Sequence, residues 1–319
     1  MISKATETGS HVNTLYTRSV ADAAAVLRRG GLAAFPTETV YGLGAVATDA
    51  RAVAAVFDAK GRPADNPLIV HVADARDLDA LAHLPDVARA LLAAFAPGPL
   101  TLVLPLRADL PAAVTAGRAT VAVRIPDHET ARDLIRAAGA PLVAPSANRS
   151  GRPSPTTWQA VRADLDGRVG AVLTGAPTRV GLESTVVDVT GREPVVLRPG
   201  AVTLADVQRI APDAREATGG DDAGRSPGTR HRHYAPRARV RLVDAPDPSP
   251  DAAYVGLDAP PAGYALAETC AGVDAYARAA FDLFRRADAL GLARIDAQRV
   301  PDDGLGTALM DRLRRAAAG

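Results

Sequence analysis

From about residue 30 to residue 200 the chain keeps returning to one arrangement: a short aliphatic run, a polar string, then an alanine-rich stretch. "LAAFP", "PLIVHV", "LTLVLP", "TVAVRIP", "PLVAP", "AVLT", "STVVDV" and "PVVLRP" read as strands. Their length and β-branched content favour extended backbone over buried helix. A helix is expected from the capping residue Ser19 through Arg29, with Gly30 and Gly31 stopping it. Further helices are expected at 49–59, 85–95, 129–138 and 156–165. Some strands are separated by helices and others follow one another directly. That implies an α/β fold built on a twisted mixed sheet flanked by helices.

The arrangement breaks near residue 212. "PDAREATGGDDAGRSPGTRHRHYAPRAR" has no apolar period and is rich in Gly, Asp and Arg, as a linker is. Strands resume at "VRLVDA", "AYVGL" and "ARIDAQRV", with helices at 273–289 and 305–317, a small second α/β unit. The expected division is 1–211, a linker at 212–238, and 239–319. A chain of 319 residues can bury two such cores.

Composition removes several function classes. The one cysteine, Cys270, allows neither an internal disulfide nor a cysteine metal cluster, and no metal-ligating set is assigned. No run of 18 apolar residues occurs, and the polar start "MISKATETGSHVNTLY" lacks the apolar core of a signal peptide. A soluble cytoplasmic protein without membrane contact is expected. A net charge of +1 means that any surface for nucleic acid must be local.

Nucleotide motifs are nearly absent. Lys60 stands between Ala59 and Gly61, so there is no P-loop. "GLGAVA" fits G-x-G-x-x-A in form. Thr37 to Tyr41 separate it from the preceding strand, however, and residues 37–48 read as a loop rather than a dinucleotide site. Neither H-E-x-x-H nor G-x-S-x-G is present.

What stands out is the polar string that closes each strand. "PTETVYGLG" follows the first, with more hydroxyl and acid groups than helix capping needs. "DAKGRPADNPLIVH" holds Lys60, Arg62, Asn66 and His71; of 37 lysines and arginines only Lys4 and Lys60 are lysine. A compact ammonium beside a planar guanidinium suits different oxygens of a phosphate chain. As a solvated charge at a helix end, Lys60 would instead complement the dipole, and its loss would cost little stability. In "TVAVRIPDH", alternation puts Thr120, Ala122 and Arg124 on one face, where Arg124 needs a partner, internal or bound. "APSANRSGRPSP", "LESTVVDV" and "VVLRPG" add Ser146, Ser154, Ser184 and Arg198. Many hydroxyls, several cations and few general bases suit a polyphosphate and a small zwitterion better than a hydrolytic triad.

In this order the strings resemble the YrdC-like family, the L-threonylcarbamoyl-AMP synthases, over about residues 15–210. "SPGTRHRHYAP" and the unit after it resemble the longer two-domain form. The resemblance implies a deep basic cavity in which L-threonine, bicarbonate or CO2, and ATP with Mg²⁺ give threonylcarbamoyl-AMP and pyrophosphate. No prosthetic group is implied. A separate transferase complex would then modify tRNA, with room for a weak tRNA contact by this chain. Carried over by motif, Thr39, His71, Arg124 and Ser184 would hold threonine. Ala144 would line the same pocket, where other members often have a hydroxyl. Arg62, Asn66, Thr120, Ser146, Ser154 and Arg198 would hold ATP. Lys60 and Arg62 would act on the reacting groups, Lys60 at the phosphates or the carbamate. Tyr234 would fold with the linker over the nucleotide. Carbamoyl-transfer proteins that carry this fold within larger maturation factors add zinc-finger segments, which one cysteine does not supply. An RNA-binding module of the same fold without catalysis is the remaining alternative.

Overall fold

Side-chain caps set where the first helices begin. In the structure, a computed structural model describing residues 12–63, 65–218 and 234–318, β1 (Leu15–Thr17) leads to α1 (Val20–Arg28). Ser19 caps α1 by accepting from the Asp22 amide, as its sequence predicts. β2 (Ala33–Phe35) and β3 (Gly42–Val46) precede α2 (Ala50–Lys60), which Asp49 caps through the amides of Arg51 and Ala52. β4 (Ile69–His71), a 3-10 turn (Ala75–Ala80), α3 (Asp86–Phe95), β5 (Leu100–Pro105) and the short α4 (Ala112–Thr115) follow. Then come β6 (Thr120–Arg124), α5 (Glu129–Ala138), β7 (Leu142–Val143), α6 (Trp158–Leu165) and β8 (Ala171–Leu173). β9 (Thr185–Asp188), β10 (Val195–Arg198), α7 (Leu204–Ile210) and β11 (Arg215–Glu216) end this part.

These eleven strands form one sheet in the order β1-β8-β2-β3-β7-β4-β6-β5-β9-β10-β11. Parallel pairs such as β4 with β6 occur beside antiparallel ones such as β5 with β6, so the expected mixed sheet is the observed one. Leu43, Val53, Val70, Leu91, Leu102 and Val123 belong to its largest core cluster.

The "GLGAVA" string is a strand, not the loop its sequence suggests. Gly44 pairs with Ala33 and Gly42 with Phe35 across β2 and β3. A Cβ on Gly44 would lie 2.9 Å from the Phe35 ring and 3.1 Å from the Ala33 carbonyl oxygen. Glycine is there to let Phe35 lie across the sheet, and a run of Gly and Ala shows no strand period. α7 was equally silent in sequence, although Thr203 and Asp206 build a capping box at its start.

The second sheet begins at Arg239. β12 (Arg239–Val243), β13 (Ala252–Gly256), β14 (Leu266–Thr269) and β15 (Arg294–Gln298) run parallel in the order β12-β15-β13-β14. α8 (Val273–Ala289) and α9 (Gly304–Ala317) complete the unit. Its core holds Tyr276, Phe281, Phe284, Ile295 and Leu313, and it also takes in Leu182 from the first unit. Gly181 makes that approach possible. Its φ is +82°, and a Cβ there would lie 2.5 Å from Arg278 Cα on α8. Of the expected linker, residues 219–233 lie outside the described residues. No helix among the described residues is long and apolar enough to cross a membrane.

Candidate active site

Strand register brings the first group of polar side chains together. His71 at the end of β4 is level with Arg124 at the end of β6, and Arg124 is level with Thr101 on β5. The three therefore form one row across adjacent strands. Thr39 reaches this row from the β2–β3 turn, where Arg124 Nη1 donates to its hydroxyl at 3.0 Å. Ser184, just before β9, hydrogen-bonds Thr101 at 2.7 Å between hydroxyls. Thr39, His71, Arg124 and Ser184 border a narrow cavity of about 60 Å³, lined also by Arg62, Ala144, Ser146, Glu183, Arg198 and Tyr234.

Arg124 has an internal partner, and it is a glutamate. Its Nη2 lies 2.7 Å from Glu38 Oε2, with both side chains almost wholly buried. Its Nε also donates to the Gly98 carbonyl at 3.3 Å. His71 is buried beside it. Burial first, and the Arg124 charge second, push the imidazole down to about 3, so the ring is neutral near pH 7. Nδ1 lies 3.2 Å from the Ile69 carbonyl oxygen, which can only accept. The proton therefore sits on Nδ1, and Nε2 is left as an acceptor.

The second group is cationic. Arg62 donates to the carbonyls of Asn66 and Pro67, at 3.4 and 3.1 Å, and burial pulls its pKa down to about 10. Arg198 donates from Nε to the Ser184 carbonyl at 3.0 Å and from Nη2 to its hydroxyl at 3.2 Å. Tyr234 is held at φ +67°, a left-handed backbone that costs a non-glycine residue about 1–2 kcal/mol. Ala235 beside it donates its amide to the Gly151 carbonyl at 3.0 Å, tying this segment to the "APSANRSGRPSP" loop.

Nine of the thirteen residues singled out in sequence thus line the cavity; Lys60, Asn66, Thr120 and Ser154 do not. Thr120 shares a face with Arg124 but stands four residues away along β6, about 13 Å at strand rise. Ser154 is turned to donate its hydroxyl to Glu183 Oε1 at 2.5 Å. Asn66 is buried behind the Arg62 turn.

Lys60 corrects the reading of a solvated helix end. Only 2 % of it is exposed. Its Nζ donates to the carbonyls of Ser146 and Asn148 at 2.5 and 2.7 Å, and its own carbonyl accepts from the Ser150 amide at 2.8 Å. Burial, with Arg62 nearby, holds its pKa well below the usual lysine value. Lys60 is therefore a bolt between α2 and the loop that carries Ser146, and one of its three N–H donors remains. Its loss would strand two carbonyls at about 1–3 kcal/mol each, so the expectation of little stability cost fails.

Sequence reasoning passed over Glu38, Thr101 and Glu183 as site residues. Glu38 and Glu183 stand inside the quoted strings; Thr101 had no signal beyond its strand. Among the described residues no group of three His, Cys, Asp or Glu side chains converges as a metal site.

Comparison with known proteins agrees with this architecture. A family model described as "Telomere recombination" (Sua5, YciO, YrdC) matches residues 25–200. A second, described as "Threonylcarbamoyl-AMP synthase, C-terminal domain", matches residues 202–318. The chain is 43% identical to the threonylcarbamoyl-AMP synthase of Pyrococcus abyssi, over 92% of each chain. It is 41% identical to that of Bacillus subtilis, over 94% of this chain and 93% of the relative. The solved structure of Pyrococcus abyssi Sua5 complexed with L-threonine superposes with a TM-score of 0.88 at 39% identity, covering 96% of this chain and 97% of the other. With its sequence strings, its sheet and its second unit all matched over nearly the whole length, this chain belongs to the Sua5–YciO–YrdC family.

Proposed function

We propose that this chain is a nucleotidyltransferase that makes threonylcarbamoyl-AMP and pyrophosphate from L-threonine, bicarbonate or CO2, and Mg·ATP. The observation that carries the reading is the row of Thr39, His71 and Arg124: a hydroxyl, a neutral imidazole acceptor and a guanidinium on one cavity wall. That set is complementary to a zwitterionic amino acid with a side-chain hydroxyl. Arg124 takes the carboxylate. His71 Nε2 accepts from the threonine ammonium or hydroxyl.

Arg62 and Arg198, which line the cavity, neutralise the phosphates, and Lys60 acts from behind them by holding the loop that carries Ser146. The threonine ammonium loses one proton, the free amine attacks CO2, and loss of a second proton from nitrogen to solvent leaves the carbamate. A carbamate oxygen then attacks the α-phosphorus, and pyrophosphate leaves with the electron pair of the broken P–O bond. No covalent enzyme intermediate is needed, so positioning and charge neutralisation supply most of the rate. Mg²⁺ enters with ATP as substrate, its anchoring drawn mainly from the phosphates. Tyr234, which lines the cavity, keeps water from the mixed anhydride. The product is handed to a separate transferase for tRNA modification.

The test is pyrophosphate release by the purified full chain with Mg·ATP. Release that needs threonine and bicarbonate together, with threonylcarbamoyl-AMP seen by mass spectrometry, is expected. Release independent of either substrate, or RNA binding without any turnover, defeats the reading.

A further inference from the structure

Near its end the chain reads "MDRLRRAAAG", an ordinary charged helix terminus in which Asp311 pairs with Arg315 at i, i+4. One arginine of this string does something else. The Arg312 side chain is 1 % exposed. Its Nε donates to Glu183 Oε2 at 2.9 Å, its Nη2 to the Glu183 carbonyl at 3.4 Å and its Nη1 to Asp311 at 2.7 Å. The guanidinium lies over the Tyr234 ring, 5.6 Å from its centre, and the same ring stacks on Phe281 of α8 at 5.4 Å.

Glu183 and Tyr234 line the cavity, and the other oxygen of Glu183 accepts the Ser154 hydroxyl. A guanidinium taken wholly out of water costs several kcal/mol, and an apolar side chain could fill the same volume more cheaply. A merely structural contact between the units did not need this charge. We propose that Arg312 is a positioning residue through which the second unit sets the nucleotide side of the cavity. It fixes Glu183 against Ser154 and packs the Tyr234 ring. The proposal rests on the synthase reading and gives α9 a part in the reaction without contact with substrate. The Thr39, His71 and Arg124 row has its own partners: Arg124 meets Thr39, Glu38 and the Gly98 carbonyl, and His71 meets the Ile69 carbonyl, none of them a partner of Arg312.

The test compares wild type, Arg312→Met and the double variant Glu183→Gln/Arg312→Met, by melting and by pyrophosphate release titrated with each substrate. Arg312→Met is expected to raise KM for ATP about tenfold, one charge-assisted contact's worth, while KM for threonine stays within about threefold. The double variant no longer strands a buried carboxylate, so its melting temperature recovers while KM for ATP stays raised. A double variant with wild-type KM for ATP would show that Arg312 only neutralises Glu183, and would overturn the proposal. So would a folded Arg312→Met with unchanged KM for ATP, or an equal rise in both KM values. If the wild type itself releases no threonine- and bicarbonate-dependent pyrophosphate, the synthase reading falls and takes the proposal with it. An active wild type with indifferent variants sinks the proposal alone.

Discussion

Two buried arginine–glutamate pairs border the cavity, and they are built differently. Arg124 and Glu38 belong to one unit: register with β4 and β5 places Arg124 at the end of β6, and the β2–β3 turn brings Glu38 to it. Arg312 and Glu183 join two units, and their pairing exists only when α9 is docked. Each pair bears the desolvation of two charges, so each is weak evidence for stability and stronger evidence that the charges are wanted where they lie. The first pair makes a rigid pocket wall out of a single sheet. The second makes the opposite dependence, in which half of the site waits on another domain.

The largest expected effect is on the first pair. Arg124→Met leaves Glu38 buried without a counter-charge and should lose about 3–5 kcal/mol of stability in denaturant unfolding. Turnover should fall by a factor of about 100 or more, as when one electrostatic donor at a reacting site is lost. Adding Glu38→Gln should bring back the stability and not the turnover. Recovered turnover in that double variant would mean that Arg124 serves Glu38 and not the threonine carboxylate, and the contrast between the pairs would vanish.

Acid should act first on the same side. His71 is held neutral when folded, down to about 3, while unfolded it titrates near 6.5. Between those values the unfolded chain binds the extra proton, so stability is full above pH 6.5 and is lost as the pH falls toward 3. The loss runs at up to about 1.4 kcal/mol per pH unit. His128, also lowered by burial, adds in the same direction. Burial would raise Glu183, yet Arg312 and Arg198 outweigh it and hold its pKa below the usual 4.5, so its contribution is present above that value and is lost as the pH falls below it. His71→Asn, which keeps a side-chain donor for the Ile69 carbonyl, should flatten urea stability between pH 6.5 and 4.5. An unchanged slope in that window would place the sensitivity elsewhere.

The difference between the pairs also explains what could be read from the sequence. Arg124, His71 and Thr39 close strand-like runs, where an alternating pattern marks both the strand and its polar end. Ser154 was correctly placed in a polar loop. That Glu183 captures its hydroxyl depends on a contact between distant loops, which no local pattern encodes. Lys60 was conspicuous in an arginine-writing chain, but burial is a property of packing, and its two carbonyl partners lie 86 and 88 residues away. Arg312 gave no signal at all. Its neighbours Asp311 and Arg315 form the i, i+4 pair of a solvated helix, and only the docking of α9 turns it inward. β3 shows the same limit for the fold, since its glycines are required by the Phe35 ring across the sheet.

The smallest effect concerns a third arginine between the units. Arg285 of α8 donates to Asp164 Oδ2 at 2.8 Å and to the Pro153 carbonyl. Asp164 also takes Arg152 Nη1 at 2.8 Å. Burial alone would raise Asp164, but the two guanidiniums hold it below its usual value. Neither Arg285 nor Asp164 lines the cavity. Arg285→Met leaves Asp164 one guanidinium, so the cost should be about 1–3 kcal/mol, read as a lower urea midpoint. Its KM for ATP should stay within about threefold of wild type, because docking in general is not what the nucleotide side requires. A rise in KM for ATP matching that of Arg312→Met would mean that any loosened contact between the units disturbs the site. Arg312 would then be one tether among several, and the distinction between the two buried pairs would reduce to which domain each one holds in place.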